Sequence, residues 1–194
     1  MAQNDLNKVP QLIIIGGSSG SLEATFAILS VLKPSFELPI VLILHRNNVA
    51  DNGLVNLLSM KTHLQVKEAD EKDQIEPGWL YIAPPDYHLL LETDGSISLD
   101  ASEKVHYSRP SIDVSFETAA VAYGKDLYAI LLSGANADGA QGLARIKENG
   151  GTVIVQDPKE AFVPYMPEKA MELITVDYVL DAANIAALLN ELTS

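Results

Sequence analysis

The chain has 194 residues, 47% hydrophobic and 20% charged, which is the balance of a soluble globular protein with one sizeable core. Its net charge of −13 argues against nucleic acid or an anionic membrane surface as the main partner, because both require clustered Lys and Arg. The absence of cysteine excludes disulfides, thiolate catalysis and Cys-ligated zinc. No apolar run approaches the length of a membrane span, so a cytoplasmic protein is expected.

The first element is predicted at residues 12–15, where four large apolar residues run into a turn rich in glycine and serine. Apolar residues then recur at helical spacing over residues 22–32, so the order is buried strand, tight turn and helix. Within the turn, Gly16, Ser18 and Gly20 fit the spacing G-x-S-x-G, which exposes a serine hydroxyl on a sharp bend. Ser18 is therefore the candidate nucleophile.

The turn by itself allows two other interpretations. Rossmann units bind pyrophosphate at such a turn, because free amides at a helix start attract anions. The G-x-G-x-x-G pattern fails here, since Ser18 and Ser21 replace the second and third glycines. Nucleophile, phosphate-binding loop and plain structural turn all stay open until the rest of the chain is considered.

The remaining chain alternates predicted strands and helices behind a polar leader. Residues 1–10 are predicted to be this flexible leader, and residues 11–194 a single domain. Apolar runs predict further strands at residues 40–44, 79–83, 127–132, 152–156 and 176–180. Apolar residues at helical spacing predict helices at residues 52–60, 112–123, 143–147, 164–173 and 182–192.

Two segments depart from this alternation. The charged residues 67–76 predict a solvated loop or a short edge strand. An Asp-Gly turn at residues 94–95, between apolar runs, predicts a β-hairpin over residues 88–99. The fold class is therefore α/β: a doubly wound, Rossmann-like, mostly parallel sheet with helices on both faces and a small antiparallel hairpin extension.

Three residues with catalytic chemistry follow predicted central strands. Ser18, His45 and Asp138 each come just after an apolar run, and loops at the carboxyl edge of a parallel sheet can meet. A serine hydroxyl needs a base to take its proton, and a histidine does this when a carboxylate holds its tautomer. The backbone N–H of Ser19 and an amide near Ala135 are the predicted oxyanion donors.

Six motifs in the same order resemble the catalytic domain of the CheB-type chemotaxis receptor methylesterases. The resemblance covers residues 12–192, nearly the whole chain. The motifs are Ile15-Gly16-Gly17-Ser18-Ser19-Gly20, Leu44-His45, residues 81–88, residues 109–113, residues 133–139 and Met166-Pro167.

The resemblance implies a serine hydrolase that cleaves glutamate methyl esters on chemoreceptors and releases methanol, with glutamine deamidation in some members. By position it makes Ser18 the nucleophile, His45 the general base and then acid, and Asp138 the orienting carboxylate. It also implies about seven strands and no metal or cofactor. His88 and Met166 are the further residues expected to line the site.

The implied partner is a methyl-accepting chemoreceptor or a related coiled-coil signalling protein. Many members of the family carry an N-terminal receiver domain, for which this chain has no room, so it resembles a stand-alone catalytic domain or a fragment. A separate response-regulator or kinase component is then expected. Arg46 and Arg109 are hypothesised to meet the acidic receptor surface, because the chain itself carries a large negative charge.

Three departures from the family pattern are visible, and two alternative functions remain. Ser21 stands where the family has a second glycine, Arg46-Asn47 replaces an apolar residue and proline, and Ala135-Asn136 replaces a Met-Gly pair. The last change motivates one alternative, a catalytically degenerate binding domain in signalling. A Rossmann-type nucleotide binder is the other alternative, and the missing glycines disfavour it.

Overall fold

The computed structural model describes residues 9–45 and 53–193. Seven parallel strands form the central sheet: β1 (Leu12–Gly17), β2 (Ile40–Leu44), β3 (Gln65–Glu68), β4 (Trp79–Ile82), β7 (Leu127–Leu131), β8 (Thr152–Gln156) and β9 (Tyr178–Leu180). Two antiparallel strands form a separate sheet: β5 (His88–Leu91) and β6 (Ile97–Asp100). The helices are α1 (Ser21–Leu29), α2 (Gly53–Ser59), α3 (Ile112–Tyr123), α4 (Ala140–Glu148), α5 (Tyr165–Leu173) and α6 (Ala182–Glu191).

The central strands are buried on both faces, as the apolar runs predict. Every residue of β1, β2 and β7 is buried, and β-branched and aliphatic side chains suit such positions. The strand order is β3-β4-β2-β1-β7-β8-β9. From β1 the chain builds one side of the sheet first and then crosses to β7 to build the other, so the topology switches between β1 and β7.

Two hydrophobic cores cover the two faces of the sheet. Ile14 and Val41 face one core, which includes helices α3, α4 and α5 and the hairpin. Ile13 and Leu42 face the other core, which includes α1, α2 and α6. Alternate residues of the same strand thus serve opposite cores, which confirms the predicted doubly wound α/β class.

The hairpin differs in one respect from its prediction. It forms at residues 88–100, but as its own two-stranded sheet and not as an extension of the parallel sheet. The preceding strand β4 already has β2 and β3 on its two sides, so it offers no free edge. The hairpin packs on α3 instead, where Ser115 Oγ donates to the Leu89 carbonyl at 2.7 Å.

The charged segment, the polar leader and the absence of a membrane-spanning helix are the remaining features predicted from the sequence. Residues 65–68 of the charged segment form the edge strand β3. The predicted leader falls mostly on residues 1–8, which lie outside the described residues, as do Arg46 and Asn47. Within residues 9–45 and 53–193, no helix combines the length and the apolar character that a membrane crossing requires.

Close packing of α3 on α4 at Gly142 gives a first prediction. Replacing a helical glycine by alanine usually stabilises a helix by about 1 kcal/mol. Here the new Cβ would overlap the Phe116 side chain and lie 3.1 Å from the carbonyl oxygen of Asp113. Because a backbone atom cannot move aside cheaply, we expect Gly142→Ala to lower the free energy of unfolding by about 1–3 kcal/mol, measured by urea denaturation.

The neighbouring exposed Gln141 on α4 supplies the matched control. Gln141→Ala is expected to change the free energy of unfolding by less than about 0.5 kcal/mol. A Gly142→Ala protein as stable as the unmodified chain would contradict the packing argument.

Candidate active site

The candidate site lies at the carboxyl ends of the three central strands. The last pairs between neighbouring strands are Gly17 with Leu44 and Gly16 with Leu131, so the strands end at nearly the same level. Backbone bonds continue past these ends: Ser18 N–H donates to the Ser133 carbonyl at 2.9 Å, and His45 N–H donates to the Gly17 carbonyl at 3.3 Å. Ser18, His45 and the loop after β7 therefore leave the sheet side by side, at its topological switch.

The turn that carries Ser18 is closed by Ser21. The Ser21 hydroxyl donates to the Ser18 carbonyl at 2.6 Å, and the Ser21 N–H donates to the same oxygen at 3.0 Å. Gly20 has φ +79°, a left-handed conformation that glycine adopts without strain. A Cβ at Gly17 would overlap the Ser21 side chain, so both glycines are required by the bend. Ser18 itself is half-buried.

Asp138 is held at the N-terminus of α3 by four hydrogen bonds. Oδ1 accepts from the Ser111 hydroxyl at 3.0 Å and from the Asp113 N–H at 2.9 Å. Oδ2 accepts from the Ile112 N–H at 2.8 Å and lies 2.7 Å from His45 Nε2. A helix N-terminus suits an anion because its first N–H groups lack partners within the helix.

These contacts keep Asp138 ionised although it is buried. Burial raises the pKa of the carboxyl, but the hydrogen bonds from His45, Asp113 and Ile112 outweigh burial and bring the pKa below its usual value. A charged acceptor therefore faces the histidine in the folded protein.

The histidine is oriented by this carboxylate. His45 has 12% of its side chain exposed, and Asp138 has none. Because an ionised carboxylate only accepts hydrogen bonds, Nε2 of the neutral ring carries the proton, and Nδ1 carries the free lone pair. The imidazole can therefore act as a base through Nδ1, while the carboxylate stabilises the ring through its contact with Nε2.

The predicted oxyanion donors, Ser19 and Ala135, are both exposed at the rim. Within residues 9–45 and 53–193, neither backbone N–H has a hydrogen-bond partner. An amide without an intramolecular partner can donate to an external oxygen, which is what an oxyanion hole requires.

His88 and Met166, which are predicted to line the site, are both buried. His88 is 1% exposed, and its Nδ1 accepts from the Ser111 N–H at 3.1 Å while Nε2 lies 3.0 Å from the Glu103 carbonyl. Met166 is fully buried under the loop after β7, where a Cβ at Gly134 would overlap its side chain. His88 thus contacts the N-cap residue of α3, and Met166 packs against the loop after β7.

Arg109 is likewise engaged within the chain. Its Nη1 donates to the carbonyls of Ala101 and Ser102, at 2.6 and 2.5 Å. The guanidinium thus anchors the loop before α3, which does not favour its hypothesised role against a receptor surface.

Sequence reasoning missed several residues that position the site. Ser111 is the N-cap of α3, where its side chain accepts from the Val114 N–H, and its hydroxyl also donates to Asp138. Ser133 joins three loops, since its hydroxyl lies 2.6 Å from the Ser19 carbonyl and accepts from the Val163 N–H at 2.8 Å. Small polar residues at loop positions carry no sequence signal that distinguishes such roles from ordinary turns.

A cavity of about 600 Å³ lies elsewhere in the molecule. Its lining includes Pro10, Pro39 and Tyr123, near the amino ends of β1 and β2, and none of the predicted site residues. The candidate site lies at the opposite, carboxyl ends of these strands.

Comparisons with known proteins agree with this fold. A family model described as CheB methylesterase matches residues 13–189. The crystal structure of the Thermotoga maritima CheB methylesterase catalytic domain superposes with a TM-score of 0.89 at 35% identity, covering 94% of this chain and 98% of that one. The chain belongs to the CheB methylesterase family.

Relatives of two lengths are found. A Leptospira interrogans protein, named on a provisional basis protein-glutamate methylesterase/protein-glutamine glutaminase, is 46% identical over 178 residues, 92% of each chain. The Thermotoga maritima protein-glutamate methylesterase/protein-glutamine glutaminase is 35% identical over 94% of this chain and 54% of its own length. The Myxococcus xanthus protein-glutamate methylesterase FrzG is 34% identical over 92% of this chain and 53% of its own. The named relatives are thus carboxylic ester hydrolases, and the chain spans about half the length of the last two.

A second buried carboxylate next to the site gives a prediction for stability. Asp113 is 4% exposed, and burial raises its pKa from 3.8 to about 6, aided by the nearby Asp138 charge and opposed by the Gly142 N–H. The folded state holds this proton more tightly than the unfolded chain, so its contribution to stability is full below about pH 4 and is lost as the pH rises through about 6.

We compare the free energy of unfolding of the unmodified chain with that of Asp113→Asn. The unmodified chain is expected to lose stability relative to the variant as the pH rises from 4 to 7, by roughly 3 kcal/mol at most. Urea denaturation of both proteins at several pH values measures this difference. A difference that does not change with pH would contradict the raised pKa of Asp113.

Proposed function

We propose that this chain hydrolyses glutamate methyl esters of chemoreceptors or related coiled-coil signalling proteins and releases methanol. Membership of the CheB methylesterase family supports the reaction class. The observation that carries the proposal is the 2.7 Å contact between His45 Nε2 and the buried Asp138 carboxylate, at the end of the strand next to Ser18. This arrangement suits a serine nucleophile with a supported base.

In the first half of the proposed reaction, Ser18 Oγ attacks the ester carbonyl carbon while its proton passes to His45 Nδ1. The Asp138 carboxylate stabilises the imidazolium through Nε2. The negative charge that develops on the carbonyl oxygen is stabilised by the N–H groups of Ser19 and Ala135. The tetrahedral intermediate then collapses, the C–O bond to the methoxy group breaks, and the proton on Nδ1 leaves with it as methanol.

In the second half, water hydrolyses the glutamyl ester of Ser18. His45 Nδ1 takes a proton from the attacking water, and the same proton returns to Ser18 Oγ when the acyl bond breaks. The product is a free glutamate side chain and the regenerated serine. A glutamine amide would follow the same course with ammonia as the leaving group, so deamidation is the proposed second activity.

The proposed setting is a cytoplasmic signalling system. One catalytic domain over residues 11–194 is proposed, in line with the single parallel sheet and the match over residues 13–189. The relevant receptor segment is a helical coiled coil that bears the methylated glutamates. Control is proposed to come from a separate response-regulator or kinase component.

The proposal is tested by release of radiolabelled methanol from a methylated receptor. We expect the unmodified chain to release methanol and Ser18→Ala to be slower by about three orders of magnitude or more, because no other group replaces the nucleophile. A fluorophosphonate probe should label the unmodified chain and leave Ser18→Ala unlabelled.

The matched control is Ser30→Ala, at the exposed C-terminal end of α1, which should retain both methanol release and labelling. A folded, unmodified chain that releases no methanol and is not labelled would reject the esterase and favour a degenerate binding domain.

A further inference from the structure

Asn136 closes a ring of polar contacts with His45 and Asp138. Its Oδ1 accepts from the Asp138 backbone N–H at 3.1 Å, and its Nδ2 lies 3.5 Å from His45 Nδ1. The ring is completed by His45 Nε2, 2.7 Å from Asp138 Oδ2. Asn136 is half-buried in the loop after β7 and, unlike Asp138, contacts the side of the imidazole that faces away from the carboxylate.

The contacts with Asn136 and with Asp138 both require the same tautomer of His45. A backbone N–H can only donate, so the Asn136 atom that faces Asp138 N must be the oxygen, and the amide nitrogen must face His45. An amide NH₂ group also only donates, so Nδ1 must be unprotonated. The carboxylate independently requires the proton on Nε2. Asn136 and Asp138 thus hold the neutral Nε2–H tautomer from opposite sides.

We propose that Asn136 is a positioning residue that holds the His45 ring in the Nε2–H tautomer, with the Nδ1 lone pair as the acceptor for the Ser18 proton. The 3.5 Å contact is longer than an ordinary hydrogen bond, so it orients the ring and still leaves the lone pair free to accept the serine proton. This inference rests on the proposed function, because it assigns a role within the same site.

Charge explains why a neutral donor is useful at this point. Asp138 contacts His45 directly, and Asp113 lies behind Asp138, with His106 Nε2 3.6 Å from Asp113. Carboxylates favour the imidazolium, which cannot act as a base. The Asn136 N–H groups repel a proton on Nδ1, so they oppose the formation of the imidazolium.

A role limited to the loop would have different consequences. The Oδ1 contact of Asn136 to the Asp138 N–H, two residues on, is an Asx turn that braces the loop by itself. Asn136→Asp separates the two roles, because aspartate keeps the oxygen that accepts from Asp138 N and replaces only the amide nitrogen. The new carboxylate oxygen would face Nδ1 and favour its protonation.

The first readout is ¹⁵N NMR of the His45 ring in the folded protein at pH 7 without substrate. We expect the unmodified chain to show a proton on Nε2 alone, and Asn136→Asp to show protons on both ring nitrogens. Gln141→Ala, on the exposed side of α4, is the control and should match the unmodified chain.

The second readout is the pH dependence of kcat/KM for methanol release. The acid limb of the profile should move to higher pH by about one unit or more in Asn136→Asp, with activity recovering above the new limb. In Asn136→Ala, kcat should fall about tenfold with little change in KM, since ring orientation is lost and receptor binding is not.

A folded Asn136→Asp with His45 protonated only on Nε2 and an unmoved pH profile would overturn the proposal and leave Asn136 a loop brace. The NMR readout needs no substrate, so it is independent of whether the chain is an esterase. The expected NMR change in a protein that releases no methanol would reject the proposed function but not the contact between Asn136 and His45.

Discussion

The buried Asp138 carboxylate at the start of α3 is the contact on which the rest of the site depends. It accepts two backbone N–H groups and the Ser111 hydroxyl, and its remaining contact holds His45. An unpaired carboxylate at this depth would be costly, so these partners must be present before the histidine can be oriented. The helix start thus provides both a stable anion and a fixed direction for the imidazole.

The sheet brings these groups together because β1 lies at its topological switch. The strand is flanked by β2 and β7, and the three loops that follow these strands are joined by backbone bonds just beyond their ends. Close approach of α3 requires the absence of a side chain at Gly16, where a Cβ would lie 3.0 Å from the Phe116 ring. The same packing that fills the core therefore sets the position of the α3 N-terminus relative to Ser18.

Much of this arrangement is predictable from short-range patterns. Apolar runs and helical spacing locate the strands and helices, and the polar residues after β1, β2 and β7 indicate the candidate site. His88 and Met166 lie in motifs of the resemblance and are predicted to line the site, and the structure shows that both side chains are buried. A motif indicates that a residue has a role, but it does not show whether the side chain faces the site or is buried in the protein.

The α/β class, the family resemblance and the three candidate catalytic residues can all be predicted from the sequence, because they depend on local periodicity and on motifs in a fixed order. The folded structure adds that the hairpin stands apart from the sheet, that Ser111 and Asp113 contact Asp138, and that Asn136 lies close to His45. These side-chain contacts join residues 25 or more positions apart, because α3 crosses over the sheet and the loop after β7 returns toward it. Such separations leave no periodic signal in the chain, whereas the packing of buried layers brings the residues within hydrogen-bond distance.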